Sequence, residues 1–190
     1  MSDKPQFTIN QAVSPADIAV IGSMFTAYTQ WLDMDLTFQG FANELANLPG
    51  AYSQPKGALL LARSRETGEP LGCIALRELR LKPEFEGERT GVDGASHDKN
   101  GHKQGSRFCE VKRLYTLPAA RGKGVARALI REALDVARRE GYNEALLDTL
   151  PRMAAAVALY RSEGFTDTTK YYDSPVQEAL YMTKNLRQEP

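Results

Sequence analysis

Apolar positions fall into two periods along this chain. From Ala16 to about Asp33 they recur as Ile18, Ile21, Phe25, Tyr28 and Leu32, the spacing of one helix face. Ser14-Pro15 just before supplies an N-cap and a first-turn proline. A short extended segment, 7–13, precedes this helix, and a second short helix is expected over 41–48, ended by Pro49-Gly50. GALLLAR (57–63) and LGCIALRELRL (71–81) flank the turn composition ETGEP and predict an antiparallel hairpin. Strand character returns over 107–117. A helix follows over 125–140, with Val125, Leu129, Ala133, Val136 and Ala137 on one face and Gly141 as its stop. A short strand at 144–148, a helix opened by Pro151 and stopped by Gly164, and two closing strands at 165–172 and 178–183 complete the pattern. The order is strand, two helices, three strands, helix, strand, helix, two strands. It predicts an α/β fold of the α+β type: one domain over 1–190, a mixed and mostly antiparallel sheet, and about four flanking helices.

Between the second and third strands of the central run lies a segment that fits neither period. Residues 84–107 hold five glycines, many charges and few apolar side chains, and are expected to form a flexible loop. His97, Asp98 and His102 fall there. Metal ligands need a rigid frame, so they are read as solvated loop residues and no metal is expected.

Composition narrows the classes. Hydrophobic residues are 42% of 190, enough for a buried core. Lys+Arg and Asp+Glu both number 24, which speaks against a dedicated nucleic-acid binder. Cys73 and Cys109 sit in apolar strand-like runs and read as reduced core thiols. The first residues lack an apolar signal core, and the longest aliphatic run, Ala58 to Ala62, is too short to span a bilayer. A cytoplasmic protein with no membrane or nucleic-acid partner is expected.

The chemistry gathers at RGKGVARAL, 121–129. Two glycines stand immediately before a helix and after a strand. First-turn N–H groups lack intrahelical partners, and the helix dipole adds positive charge there. Glycines let an anion approach the backbone, so the alternatives are a plain turn or a phosphate site. The nucleotide-triphosphate pattern fails because Gly124 follows Lys123. The dinucleotide pattern fails because Arg127 stands where a third glycine is required.

The pattern present is Arg121-x-x-Gly124-x-Ala126, with LYTLP upstream and ALLDTL and ALYRSEGF downstream. In this order the motifs resemble the GNAT superfamily of acyl-CoA-dependent N-acyltransferases, over roughly 57–186 and most strongly over 110–165. The resemblance implies an N-acetyltransferase that moves an acetyl group from acetyl-CoA to a primary amine of a small molecule or peptide, by direct transfer through a tetrahedral intermediate. It implies that the amides of Arg121, Gly122, Lys123, Gly124, Val125 and Ala126 hold the pyrophosphate. The strand residues Leu114, Tyr115 and Thr116 would meet the pantetheine arm. One departure stands out: Met153 occupies a position where relatives often carry Asn.

Acyl transfer to an amine needs a proton acceptor, oxyanion donors and a proton for the leaving thiolate. The resemblance makes Glu110 the base and Tyr160 the acid. The residues themselves leave alternatives: Glu110 as a strand carboxylate paired with Lys112 or Arg113, and Tyr160 as an aromatic packed beside Leu159 and Phe165. The acceptor site is expected along the first two helices and the last hairpin, with Tyr28, Trp31, Phe38 and Arg77 as substrate-binding residues and Phe41, Tyr171 and Tyr172 nearby. Arg77, Arg80, Lys112 and Arg113 make the central strands cationic and hint at an acceptor carrying an anionic group. A non-catalytic acyl-CoA sensor of the same fold, and an acyltransferase using another donor or acceptor atom, are the rival readings. A homodimer is compatible with all of them.

Overall fold

Ser14 does what its position predicts. In the computed structural model, which describes residues 5–86 and 107–187, its side-chain oxygen accepts from the Asp17 amide at 3.1 Å while its hydroxyl donates to the Asp17 carboxylate at 2.8 Å. The helix α1 that it caps runs Pro15–Leu32, with Ile21, Met24, Phe25 and Leu32 buried. Arg63 reaches Asp17 at 2.7 Å and ties the first turn to the neighbouring strand. A left-handed Asp33 ends the helix.

Strand β1 is Phe7–Gln11, α2 is Phe41–Ala46, and β2 and β3 are Ala58–Ser64 and Pro70–Leu79. The short helix α3 is Pro83–Glu86. Then come β4 (Phe108–Thr116), α4 (Val125–Arg139), β5 (Glu144–Thr149), α5 (Ala154–Ser162), β6 (Thr166–Thr168) and β7 (Leu180–Asn185). The strands hydrogen-bond in the order β1-β2-β3-β4-β5-β7-β6. The β1–β2, β2–β3, β5–β7 and β6–β7 pairs are antiparallel, and β4–β5 is parallel. This is the mixed, mostly antiparallel sheet the pattern predicted, with five helices among the described residues where about four were expected.

Several boundaries differ, three of them by more than a shift of an end. Residues 84–86 are helical where a loop was expected, and the stretch 87–106, with His97, Asp98 and His102, lies outside the described residues. Pro151 does not open α5. It sits in a turn, and the helix begins at Ala154 after Met153. The expected strand 165–172 shrinks to three residues, because Tyr171 and Tyr172 turn away from the ladder into a bend.

Contacts gather the chain into two compact units, Met1–Arg77 with Val111–Val136, and Glu78–Glu110 with Ala137–Pro190. In the first, Ile21, Met24 and Phe25 of α1 pack on Leu59, Leu61, Cys73 and Ala75 of the sheet, with Tyr52 and Tyr115. In the second, Leu81, Phe85, Phe108, Leu146 and Tyr171 form the core. A fully buried Leu, Ile or Phe contributes roughly 1.5–3 kcal/mol relative to an exposed one. Both cysteines are free and buried. Burial pushes the Cys73 thiol up to about 12 and raises that of Cys109 as well, so both stay protonated at neutral pH.

One polar feature sits inside the first unit. Arg113, on β4, is 6% exposed and has a left-handed backbone, φ 57°. Its guanidinium donates to both oxygens of Glu44 on α2, at 3.0 and 2.7 Å, and lies 5.3 Å from the Phe41 ring. The Tyr52 hydroxyl donates to the same carboxylate at 2.7 Å. Burial alone would raise the Glu44 carboxyl, but the Arg113 bonds and charge, with the Tyr52 bond, hold it below its ordinary value of 4.5. Glu44→Ala leaves a buried guanidinium without its carboxylate and is expected to lower unfolding free energy by about 3 kcal/mol in urea denaturation. Because the folded pKa is depressed, the Glu44 contribution is fully present above pH 4.5 and is lost as pH falls through the folded value. The wild-type advantage over Glu44→Ala should therefore narrow below pH 4.5 and hold steady at neutral pH.

Candidate active site

The glycine loop is anchored at both ends and open in the middle. Leu117, after β4, donates its amide to Leu71 at 2.9 Å. A single turn, Pro118–Ala120, follows, with Ala120 buried. Arg121, Gly122, Lys123 and Gly124 are exposed, and Val125, the first residue of α4, is 1% exposed. Gly122 and Gly124 have φ of 75° and 77°, a conformation that an L side chain adopts only with strain. A Cβ on either would meet nothing within 4 Å. Packing therefore does not require these glycines. The backbone conformation does, and it leaves the loop amides approachable. No acidic side chain stands in the first turn of α4. An anionic pyrophosphate fits this set: left-handed glycines, exposed Arg121 and Lys123, and the positive end of a 15-residue helix.

Aromatic side chains meet this loop. The Arg121 guanidinium lies 5.1 Å from the Trp31 ring. Trp31 neighbours Tyr28 and Tyr115, with ring centroids at 6.4 Å in both cases, and Tyr28 and Tyr115 are 6.1 Å apart. Two predicted acceptor residues, Tyr28 and Trp31, thus stand beside predicted cofactor residues Arg121 and Tyr115. The Tyr115 side chain is core, at 7% exposure, while Leu114 and Thr116 are half-buried. Gly72 on β3 backs this end of β4 so closely that a Cβ there would lie 2.7 Å from the Tyr115 carbonyl oxygen. Arg77 is half-buried on β3, and its charge acts on Tyr52. Phe38 lies in the single turn Thr37–Gln39, and its side chain is outside the described residues.

In the second unit, Glu110 is 1% exposed. It is the last residue of the parallel β4–β5 pairing, opposite Leu146. Its carboxylate accepts from the Tyr171 hydroxyl at 2.9 Å. The same hydroxyl lies 3.5 Å from Asp148, and Tyr172 donates to the other Asp148 oxygen at 3.1 Å. Tyr171, Tyr172 and Tyr181 stack edge-on or tilted at 5.2 to 5.8 Å. Burial, followed by the Glu110 and Asp148 charges, raises the Tyr171 phenol well above 10. Burial and Asp148 raise Tyr172 as well. Both phenols are therefore protonated donors throughout the physiological range.

The sequence reading named Glu110 and the two tyrosines separately and missed Asp148. The alternative for Glu110 is a strand carboxylate paired with Lys112 or Arg113, or exposed; Arg113 is committed to Glu44, and Glu110 is buried. That ion pair, with the 85% exposed Arg80 side chain near Glu78 at 3.7 Å, also weakens the hint of an anionic acceptor. The missed signal was the bend after β6, which carries two tyrosines to carboxylates 61 and 24 residues away in sequence. Tyr160 is 8% exposed on α5, its ring packed edge-on against Phe165 at 5.8 Å. Met153 precedes α5 without a capping side-chain bond, and its sulfur lies 3.9 Å from the Thr149 hydroxyl. Among the described residues, no group of three His, Cys, Asp or Glu could hold a metal ion, and no helix is long and apolar enough to cross a membrane.

The chain is similar to known proteins over nearly its whole length. A family model described as Acetyltransferase (GNAT) family matches residues 25–165. An uncharacterized N-acetyltransferase of Schizosaccharomyces pombe is 33% identical over 182 residues, covering 96% of each chain. Among solved structures, a Salmonella typhimurium protein with its cofactor acetyl-CoA superposes with TM-score 0.63 at 23% identity, covering 97% of this chain and 96% of that one. A spermidine N-acetyltransferase from Vibrio cholerae, in complex with CoA and spermine, gives 0.62 at 17% identity and covers 96% of both. The family match joins the glycine loop, the strand before it and the helix after it in one stretch, and this chain belongs to the acetyltransferase (GNAT) family.

Proposed function

We propose that this acetyltransferase moves an acetyl group from acetyl-CoA to a primary amine of a small molecule or a peptide, and that the 1–190 chain acts as one catalytic domain. The observation that carries the reading is the Arg121–Ala126 loop, whose left-handed glycines leave open backbone at the start of α4. Acetyl-CoA supplies the activated thioester. The chain's residues bind and orient it and manage protons. The amides of residues 121–126 hold the pyrophosphate, with Arg121 and Lys123 adding charge. The backbone of Leu114, Tyr115 and Thr116 pairs with the pantetheine arm and offers the N–H donors that steady a developing oxyanion.

Glu110 takes the proton that the acceptor ammonium must lose before it can attack. The Tyr160 hydroxyl gives a proton to the leaving sulfur. Tyr28, Trp31, Phe38 and Arg77 are the proposed acceptor-side residues. Of these, Trp31 also touches Arg121 and so serves the cofactor side. The bound spermine of the Vibrio cholerae neighbour supports an amine acceptor. The sensor alternative is not favoured, because the family and its similar members are acetyltransferases. A cytoplasmic location and a homodimer stay within this proposal as expectations.

The direct test is thiol release from acetyl-CoA by the purified chain against a panel of polyamines, amino acids and peptide amines. Turnover with at least one amine is expected, and release independent of every amine would overturn the reading. In the same assay Tyr160→Phe should lower kcat about a hundredfold while leaving acetyl-CoA affinity within twofold of wild type. Gly124→Val should weaken acetyl-CoA binding at least tenfold by calorimetry. Its Cβ meets open space, so thermal stability should fall only by the small strain of a left-handed valine, roughly 1–2 kcal/mol.

A further inference from the structure

We infer that Tyr171 is a positioning residue for proton acceptance: its hydroxyl holds the Glu110 carboxylate in place, and Asp148 tunes that hold by facing the same hydroxyl. The inference rests on Glu110 being the base, a role that itself belongs to the proposed function. A phenol has one proton to donate. The Tyr171 oxygen is 2.9 Å from Glu110 and 3.5 Å from Asp148, so the proton belongs to Glu110. Tyr172 supplies Asp148 with its own donor at 3.1 Å, which leaves the Tyr171 proton available.

Tyr171 is 2% exposed and walled by the Tyr172 and Tyr181 rings, so its hydroxyl has little freedom to swing away. It does not ionise in the physiological range and remains a fixed donor. Such a donor stabilises the charged form of its acceptor, and a neighbouring carboxylate destabilises it. Glu110 therefore feels opposite influences from Tyr171 and Asp148, arranged around one oxygen atom. Other charges close by are Arg107, on the residue before β4, and Glu144 of β5, both of which act on Cys109 next to Glu110. Tyr172 and Tyr181 also stand beside this network, from the bend and from β7.

The two influences give a paired signature that a packing role would not produce. Protein carrying ¹³C at the glutamate carboxyls is titrated by NMR, with Glu110 assigned through the signal missing in Glu110→Gln. Tyr171→Phe should raise the Glu110 midpoint by about one pH unit, from the loss of one hydrogen bond to the charged form. Asp148→Asn should lower it. An unmoved midpoint in both variants, or shifts of the same sign, would overturn the inference. If Tyr171→Phe does not fold, the direction in Asp148→Asn decides alone: a fall supports the inference, and no change or a rise overturns it. The role of Glu110 is tested separately by Glu110→Gln in the thiol-release assay. Full turnover there would remove Glu110 as base and with it the catalytic meaning of the network. Lost turnover with unmoved midpoints would remove only the part given to Tyr171 and Asp148.

Discussion

A buried guanidinium held in two-point contact by a half-buried carboxylate sets the course of β4. A left-handed residue inside a strand costs on the order of 1–2 kcal/mol. Arg113 adopts that conformation while losing nearly all its contact with water. Both losses are offset by Glu44, which takes two hydrogen bonds from Arg113 and a third from Tyr52, and by the Phe41 ring. The pair joins α2 to β4 and interrupts the extended backbone between Glu110 and Leu114. Before Arg113 stands Glu110, paired with Leu146 of β5 and hydrogen-bonded to Tyr171. Residues after it lead through Tyr115 and Leu117 to the glycine loop.

The loop then follows from steric rules. Ala120 and Val125 are buried and act as posts, and the four residues between them stay exposed. Left-handed Gly122 and Gly124 turn the chain into α4, and a Cβ on either would meet nothing within 4 Å. An overall formal charge of zero is no obstacle to binding an anionic cofactor. Local charge from Arg121 and Lys123 and the dipole of α4 act within a few ångströms, where the net charge of the whole chain matters little.

What the sequence made legible follows from how local each signal is. The Ser14 cap, the α1 face, the β2–β3 hairpin and the glycine loop all depend on residues within a few positions of one another. The cap, the helix face, the hairpin and the turn of left-handed glycines before α4 appear where the pattern puts them. The end of α4 was legible for the same reason: Gly141 turns left-handed, and Tyr142 returns its amide to Ala137 at 3.0 Å. The Glu44–Arg113 pair spans 69 positions and the Glu110–Tyr171 bond spans 61, and no periodicity reports such distances. Arg113 thus resembles a substrate signal in the sequence, while in the fold its charge is taken up by Glu44. TDTTKYY has strand-like composition, yet β6 ends at Thr168, because Tyr171 and Tyr172 bend to hydrogen-bond Glu110 and Asp148.

The open glycine loop is proposed as the site for the pyrophosphate of an acyl-CoA. Calorimetric titration of the folded chain with acetyl-CoA, run beside CoA, ATP and NAD, is the measurement that decides it. Saturable binding of acetyl-CoA and CoA at a single site is expected, with no comparable binding of ATP or NAD. Absence of CoA binding by folded protein, or equal binding of all four, would contradict it and reduce Gly122 and Gly124 to the makings of a turn.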